Sequence, residues 1–291
     1  MTHAADRRRE DLLAHNARAW DRLAEGLAAL TRPAVDAAFD DPRSWLGGGG
    51  PAGRAWLPPQ LDGLEVLGLA AGGGKHGPLY AAAGARATVV DLSSAMLELD
   101  RQVARERRID LEIIQGSMDD LGMLAAGRFD LVVHPVSTCY VRDVARVFRE
   151  VARVTKPGGL YVSQHKSPQS LQASLDPGVG GRYEMVHPAA SGSAASEPLP
   201  PGPPSRLREA GTLEFVHTHD ALLGGICRAG FRIEDVCEPD HTPPSAGQAA
   251  AGTFAHRALF LPPYIRVLAR RDAVGPGASG GRSGGPRLLV E

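Results

Sequence analysis

The residues best suited to chemistry fall in a few short clusters. Residues 65–77 read EVLGLAAGGGKHG, an apolar run meeting a glycine cluster and then a small-residue helix. Glycines let a backbone approach a ligand closely and adopt positive φ. A helix start adds free N–H groups and a positive dipole end, which suit an anion. Two ligand classes fit this geometry, the pyrophosphate of a dinucleotide and the carboxylate of an amino acid. Gly72, Gly74 and Gly77 satisfy the dinucleotide G-x-G-x-x-G pattern formally, but Ala70 and Ala71 separate them from the strand end at Leu69. Asp91 ends the run Ala87–Val90, 17 residues beyond Gly74. A carboxylate there can accept both hydroxyls of a ribose, in NAD or in an adenosyl group.

The second cluster is His134-Pro135-Val136-Ser137-Thr138-Cys139-Tyr140, directly after an apolar run. His134 changes charge near neutral pH and can act as a base or orient a substrate. Tyr140 can donate a hydrogen bond or wall a pocket. Gln164-His165-Lys166 follows the next run, which makes His165 the second candidate base; Lys166 reads first as an exposed charge and second as a partner for a substrate carboxylate. His217 and His219 have H-x-H spacing, but no carboxylate or Cys cluster accompanies them or His241 and His256, so no metal is expected. Thr218 reads as a helix cap.

These clusters need elements to hold them. Residues 5–30 have apolar positions at helical spacing, among them Leu12, Leu13, Trp20 and Leu23. Residues 31–60 are broken by Pro and Gly and read as a loop with short pieces of structure. Strands are expected at 64–69, 87–90, 111–114, 129–133 and 160–163, with helices at 77–83, 94–107 and 141–154 between them. Such alternation implies a parallel sheet covered on both faces, with ligands beyond the carboxyl ends of the strands. A Pro-rich insert spans 167–210, as a lid or a loop, with Tyr183 and His187 as lining candidates. A helix at 220–229 and strands at 231–237 and 264–269 follow, and 272–291 reads as a disordered tail. The expected division is thus 1–60 as helical cover, 61–271 as the α/β domain and 272–291 as tail.

Composition removes several classes of function. The chain has 291 residues, 43% of them hydrophobic, and a formal net charge of −1. It is long enough for a sizeable core, and it lacks the basic excess of a nucleic-acid surface. Its 29 arginines against three lysines read as composition bias rather than as a phosphate-binding surface. Three scattered cysteines make no disulfide framework. The charged start is not read as a signal peptide, and no apolar run is long enough for a membrane span. The expected compartment is the cytoplasm.

Taken in order, these motifs resemble the class I S-adenosylmethionine-dependent methyltransferases over roughly residues 60–165. The family motif V-L-D-x-G-x-G-x-G falls on Val66–Gly74, with Gly68 in place of its Asp and Ala70 in place of its first Gly. These changes bear on the usual side-chain contacts near the methionine ammonium and leave the glycine turn intact. The ribose acid falls on Asp91, followed by Leu92-Ser93-Ser94-Ala95-Met96, and G-D-A-x-x-L falls on Gly116–Leu121 with Ser117 in place of its Asp. The turn before the fifth strand is Lys156-Pro157-Gly158-Gly159.

The resemblance implies a Rossmann-like, doubly wound, mostly parallel seven-stranded sheet of order 3-2-1-4-5-7-6. It implies S-adenosylmethionine as cofactor, with S-adenosylhomocysteine as product. Cofactor contacts would come from Ala70, Gly72, Gly74, Asp91, Leu92, Met96, Ser117, Met118, Asp119 and His134. His134, His165 and Tyr140 are the catalytic candidates. The stretch Asn16–Asp21 is similar to the helix that covers the cofactor in many small-molecule methyltransferases. The expected acceptor is a small-molecule O or N nucleophile, with no nucleic acid and no membrane as partner, and a homodimer is compatible. Two other readings stand beside this one, a non-methylating user or binder of S-adenosylmethionine and an NAD(P)-dependent oxidoreductase.

Overall fold

The strands Glu65–Leu69, Arg86–Asp91 and Phe129–His134 are buried almost throughout, as parallel strands covered on both faces are, whereas Phe231–Cys237 and Tyr264–Arg271 alternate with a period of two. The computed structural model describes residues 2–26, 28–47, 56–188, 197–203, 205–241 and 249–273. The strands are β1 Glu65–Leu69, β2 Arg86–Asp91, β3 Glu112–Gln115, β4 Phe129–His134, β5 Thr155–Lys166, β6 Phe231–Cys237 and β7 Tyr264–Arg271. They form one sheet of order β3-β2-β1-β4-β5-β7-β6. The pairs from β3 to β5 are parallel, and β7 runs antiparallel to both β5 and β6.

Leu67, Leu69, Val132 and Tyr161 pack on one face, against Val147, Phe148 and Val151 of the helix Val144–Val154. Val66, Leu131 and Leu160 pack on the other face with Tyr80 of the helix His76–Ala82. Phe129 joins the cluster of Val132 rather than that of Leu131.

The helix Ser94–Arg107 forms as expected, capped by Ser93, whose hydroxyl accepts from Met96 N at 3.1 Å. The N-terminal helix spans Thr2–Glu25, shorter at its end than the periodicity suggested. The Pro- and Gly-broken stretch after it makes short helical pieces, as expected, at Ala37–Asp40 and Pro42–Leu46, with another just before it at Ala29–Thr31.

The largest departure concerns β5. It starts at Thr155 and runs through Pro157-Gly158-Gly159, because pairing with β4 jumps from Phe129↔Thr155 to Leu131↔Leu160. It also runs on past Ser163, because β7 pairs with it as far as Lys166↔Tyr264. His165 and Lys166 are therefore the last two residues of this strand and not part of a loop after it.

In the insert, Pro168–Gln172 is a short helix and Ala173 bridges Met185. Buried Arg257 ties it down, donating to the carbonyls of Ser170, Ala173 and Ser174 at 2.6, 3.2 and 3.0 Å. The expectations for residues 189–196 of the insert and for the tail from 274 onward lie outside the described residues.

Candidate functional site

β1 ends at Leu69, and the chain turns at once. Ala70 takes a left-handed φ of 48°, and Gly73 follows at 111°. Gly72 is forced by close approach: a Cβ there would lie 2.9 Å from Met96 Cβ and 3.1 Å from Asp91 Cγ. The turn is held from outside by two carboxylates. Asp91 accepts from Gly72 N at 2.9 Å and from Ser93 N at 2.9 Å. Asp100, fully buried on the helix Ser94–Arg107, accepts from Gly73 N at 2.9 Å and Gly74 N at 3.0 Å. Burial pushes the Asp100 carboxyl up to about 7, against the pull of those two N–H groups. Burial also raises Asp91, against its own backbone N–H bonds.

A cavity of about 190 Å³ opens beyond this turn. Ala70, Gly72 and Asp91 line it from the ends of β1 and β2. Leu92, Met96, Ser117 and Met118 form a side wall, and Pro135, Ser137 and Tyr140 line it from the segment after β4. Leu13, Asn16 and Trp20 of the N-terminal helix roof it, and the Trp20 ring meets the Tyr140 ring edge-on at 5.6 Å.

That roof is fastened at three points. Arg9 makes a two-pronged ion pair with Asp119, at 2.7 and 2.6 Å. Buried Asn16 donates to the carbonyls of Tyr140 and Leu213, both at 3.1 Å, and accepts from Leu213 N at 2.8 Å. Asp21 accepts from Ser93 Oγ at 2.6 Å and Ala95 N at 3.0 Å.

The sequence candidates thus divide. Ala70, Gly72, Asp91, Leu92, Met96, Ser117, Met118 and Tyr140 share one cavity. Gly74, Asp119, His134 and His165 do not line it. Gly74 packs against Val103 and Pro33, where a Cβ would lie within 2.9 and 3.1 Å. Asp119 is engaged by Arg9 and by the Ser117 hydroxyl, at 2.5 Å.

His134 is buried, with Nδ1 at 2.8 Å from Tyr161 Oη and Nε2 at 2.6 Å from Ser137 Oγ. His165 lies between Thr138 Oγ1 and Ser163 Oγ, both at 2.9 Å. Burial lowers both imidazoles to about 3, so both are neutral at pH 7 with their ring nitrogens engaged. His217 is turned to the carbonyls of Thr138 and Val141, both at 3.0 Å. Tyr183 and His187 do not line the cavity either, and the Tyr183 hydroxyl meets His256 Nδ1 at 2.9 Å. Lys166 is fully buried between Glu209 and Glu214, at 2.5 and 3.1 Å, and the Tyr140 hydroxyl donates to Glu209 at 2.6 Å. That cluster raises Lys166, whereas burial alone would lower it.

Sequence reasoning missed Asp100, Lys75, His76 and the fastening roles of Arg9, Asn16 and Asp21. Asp100 did leave a signal, a carboxylate on the same helical stripe as the buried Met96, Leu97 and Val103. Lys75 and His76 line the cavity directly after the glycines, and the Lys75 ammonium donates to Leu30 O at 2.7 Å.

The residues suit an adenosyl-sulfonium ligand. Asp91 has hydrogen bonds only from backbone N–H groups and no cation partner among the described residues, so its carboxylate can still accept a diol. The wall beside it is apolar and carries the two thioethers Met96 and Met118.

Comparison with known proteins agrees. A family model described as "Methyltransferase domain" matches residues 67–163. The chain is 34% identical over 239 residues to "Uncharacterized methyltransferase YbaJ" of Bacillus subtilis, covering 76% of this chain and 88% of that one. It is 29% identical over 160 residues to a ubiquinone biosynthesis O-methyltransferase of Xanthomonas oryzae pv. oryzae, covering 54% of this chain and 65% of the relative. The crystal structure of an S-adenosylmethionine-dependent methyltransferase from Mesorhizobium loti superposes with a TM-score of 0.57 at 27% identity, over 80% of this chain and all of that one. With this fold, this turn and these relatives, the chain belongs to the S-adenosylmethionine-dependent methyltransferases and takes S-adenosylmethionine as its cofactor.

Proposed function

We propose that the chain methylates an O or N nucleophile of a small molecule, a metabolite or natural product. The observation that carries this reading is the roof. The N-terminal helix is pinned over the cavity by Arg9, Asn16 and Asp21, which leaves room for a small acceptor rather than a polymer. The similarity to ubiquinone biosynthesis O-methyltransferases supports an oxygen acceptor, and the near-zero net charge supports an acceptor other than nucleic acid. The matched family model and these relatives favour neither the oxidoreductase nor the non-methylating reading. With no helix of the described residues long and apolar enough to cross a membrane, and with free thiols at Cys139, Cys227 and Cys237, the reading includes the cytoplasm as compartment. The protein would act there alone or as a homodimer.

In this reading Asp91 holds the ribose hydroxyls, and Leu92, Met96 and Met118 enclose the adenine with the Ser117 hydroxyl at its edge. Ala70 and Gly72 bring the backbone close to the amino-acid end. The bound cofactor supplies an electrophilic methyl carbon on a sulfonium. The protein's work is alignment and exclusion of water, which in-line displacement chiefly needs. Asp100 keeps the glycine turn in shape, and Trp20, Leu13 and the Tyr140 ring close the cavity. His134 and His165 act here through the strand ends they brace.

The test is release of S-adenosylhomocysteine on incubation with phenols, amines and carboxylic acids, with transfer RNA as the polymer contrast. Release with a small molecule and none with the RNA is expected. Release with the RNA alone would overturn the reading.

A further inference from the structure

A second cavity, of about 130 Å³, lies beyond the ends of β4 and β5. It shares two residues with the first, His76 and Pro135. Trp56 and Tyr80 give it aromatic walls, and Gln164 and Arg266 give it a polar side. Trp56 is fixed by an Nε1–H bond to Asp235 at 3.1 Å, and Arg266 donates to Gln164 Oε1 at 2.6 Å.

His76 differs from the other histidines near the strand ends. His134, His165 and His217 all spend ring nitrogens on neighbours. The His76 ring has no hydrogen-bond partner among the described residues, although it is only partly exposed and faces two cavities. An imidazole placed so keeps a lone pair for a ligand.

Resting on the small-molecule reading above, we propose that the acceptor is a phenol whose ring lies between Trp56 and Tyr80 and whose hydroxyl proton passes to His76. The phenol oxygen's lone pair forms the bond to the methyl carbon. The carbon–sulfur bond breaks with its electron pair going to sulfur, and the proton on the phenol oxygen goes to the imidazole nitrogen. The products are the methyl ether, the neutral thioether and an imidazolium that returns its proton to water.

The chemistry selects among nucleophiles. A carboxylate carries no proton to remove, and an alkylamine is a cation at pH 7. A phenol is neutral there and becomes strongly acidic as its oxygen gains the methyl group, so a weak base suffices. Burial, with Lys75 adding to it, lowers His76 to about 4, which keeps the imidazole free to accept. Among the described residues, the charged and titratable groups that line the two cavities with His76 are Lys75 on its own turn, Tyr80 one turn on, Asp91 and Tyr140 across the first cavity, and His134 and Arg266 across the second.

The experiment has a binding arm and a turnover arm. In the binding arm, imidazole signals of 15N-histidine-labelled protein are followed while S-adenosylhomocysteine and then catechol are added. The His76 signal should shift with catechol, and it should be the signal lost in His76→Gln. A catechol shift confined to other histidines, or no shift at all, would overturn the proposal. In the turnover arm, S-adenosylhomocysteine release is measured with catechol, benzoate and benzylamine. His76→Gln should lower kcat with catechol on the order of 100-fold, far more than it lowers S-adenosylhomocysteine affinity, and remove the acidic limb of the pH profile. Unchanged kcat in the variant, or release with benzoate or benzylamine but not with catechol, would overturn the phenol assignment and leave the small-molecule reading standing. Release with none of the three, and with RNA instead, would remove both.

Discussion

The carboxyl edge of the sheet is built in two contrasting ways. At the ends of β1 and β2, polar groups are fixed by backbone amides and left facing a cavity, as Asp91 is. At the end of β5, polar groups are consumed within the protein, as Lys166, Glu209 and Glu214 are by one another and His165 is by two hydroxyls. Both regions are rich in titratable side chains. The difference is whether a partner already exists, and that decides whether burial makes a site or a strut.

The strongest way to break this comparison is to remove the strut's cation. Lys166→Met should leave the buried Glu214 and the largely buried Glu209 without the ammonium between them, with Arg208 Nε 3.9 Å from Glu214 as the remaining cation, and cost about 3–5 kcal/mol in urea unfolding. A loss below about 1 kcal/mol would mean that the cluster does not hold the strand end.

Next comes the open side. Asp91→Ala should weaken S-adenosylmethionine binding by about 1.5–3 kcal/mol, the scale of a charged hydrogen-bond partner, as read by calorimetry.

A third test uses pH. The folded value of His134, about 3, lies below the unfolded value of 6.5, so the unfolded chain takes up the proton between them. The stability this neutral histidine contributes is whole above about pH 6.5 and falls by about 1.4 kcal/mol per pH unit below it. Raised Asp100 acts in the opposite sense but is common to both proteins in a comparison with His134→Gln. Between pH 6.5 and 5 the wild type should therefore lose more stability than the variant. Equal slopes would show that His134 is not held neutral.

The smallest effect is expected at the roof. Arg9→Ala removes an ion pair in which Arg9 is partly exposed and Asp119 is buried, leaves Asp119 the Ser117 hydroxyl, and should cost about 1–2 kcal/mol in urea unfolding.

Much of this contrast was legible in the residues, and the parts that were not have physical reasons. Strand and helix order followed from period-two and helical spacing, and the glycine turn and Asp91 followed from the chemistry their types allow. The end of β5 was misplaced because its extension past Ser163 depends on pairing with β7, about a hundred residues away, which no local pattern encodes. For the same reason His134 and His165 read as available bases, since Tyr161, Ser163 and Thr138 reach them only in the folded sheet. His76 stood in plain view beside the glycines, and its value emerges only once the second cavity is formed.

The most direct test is a calorimetric titration of S-adenosylhomocysteine into the wild type, Asp91→Ala and His134→Gln. The account predicts binding to the wild type, affinity reduced by about 10- to 150-fold in Asp91→Ala, and a change of less than threefold in His134→Gln. Equal affinity in wild type and Asp91→Ala, or a larger loss in His134→Gln than in Asp91→Ala, would contradict it.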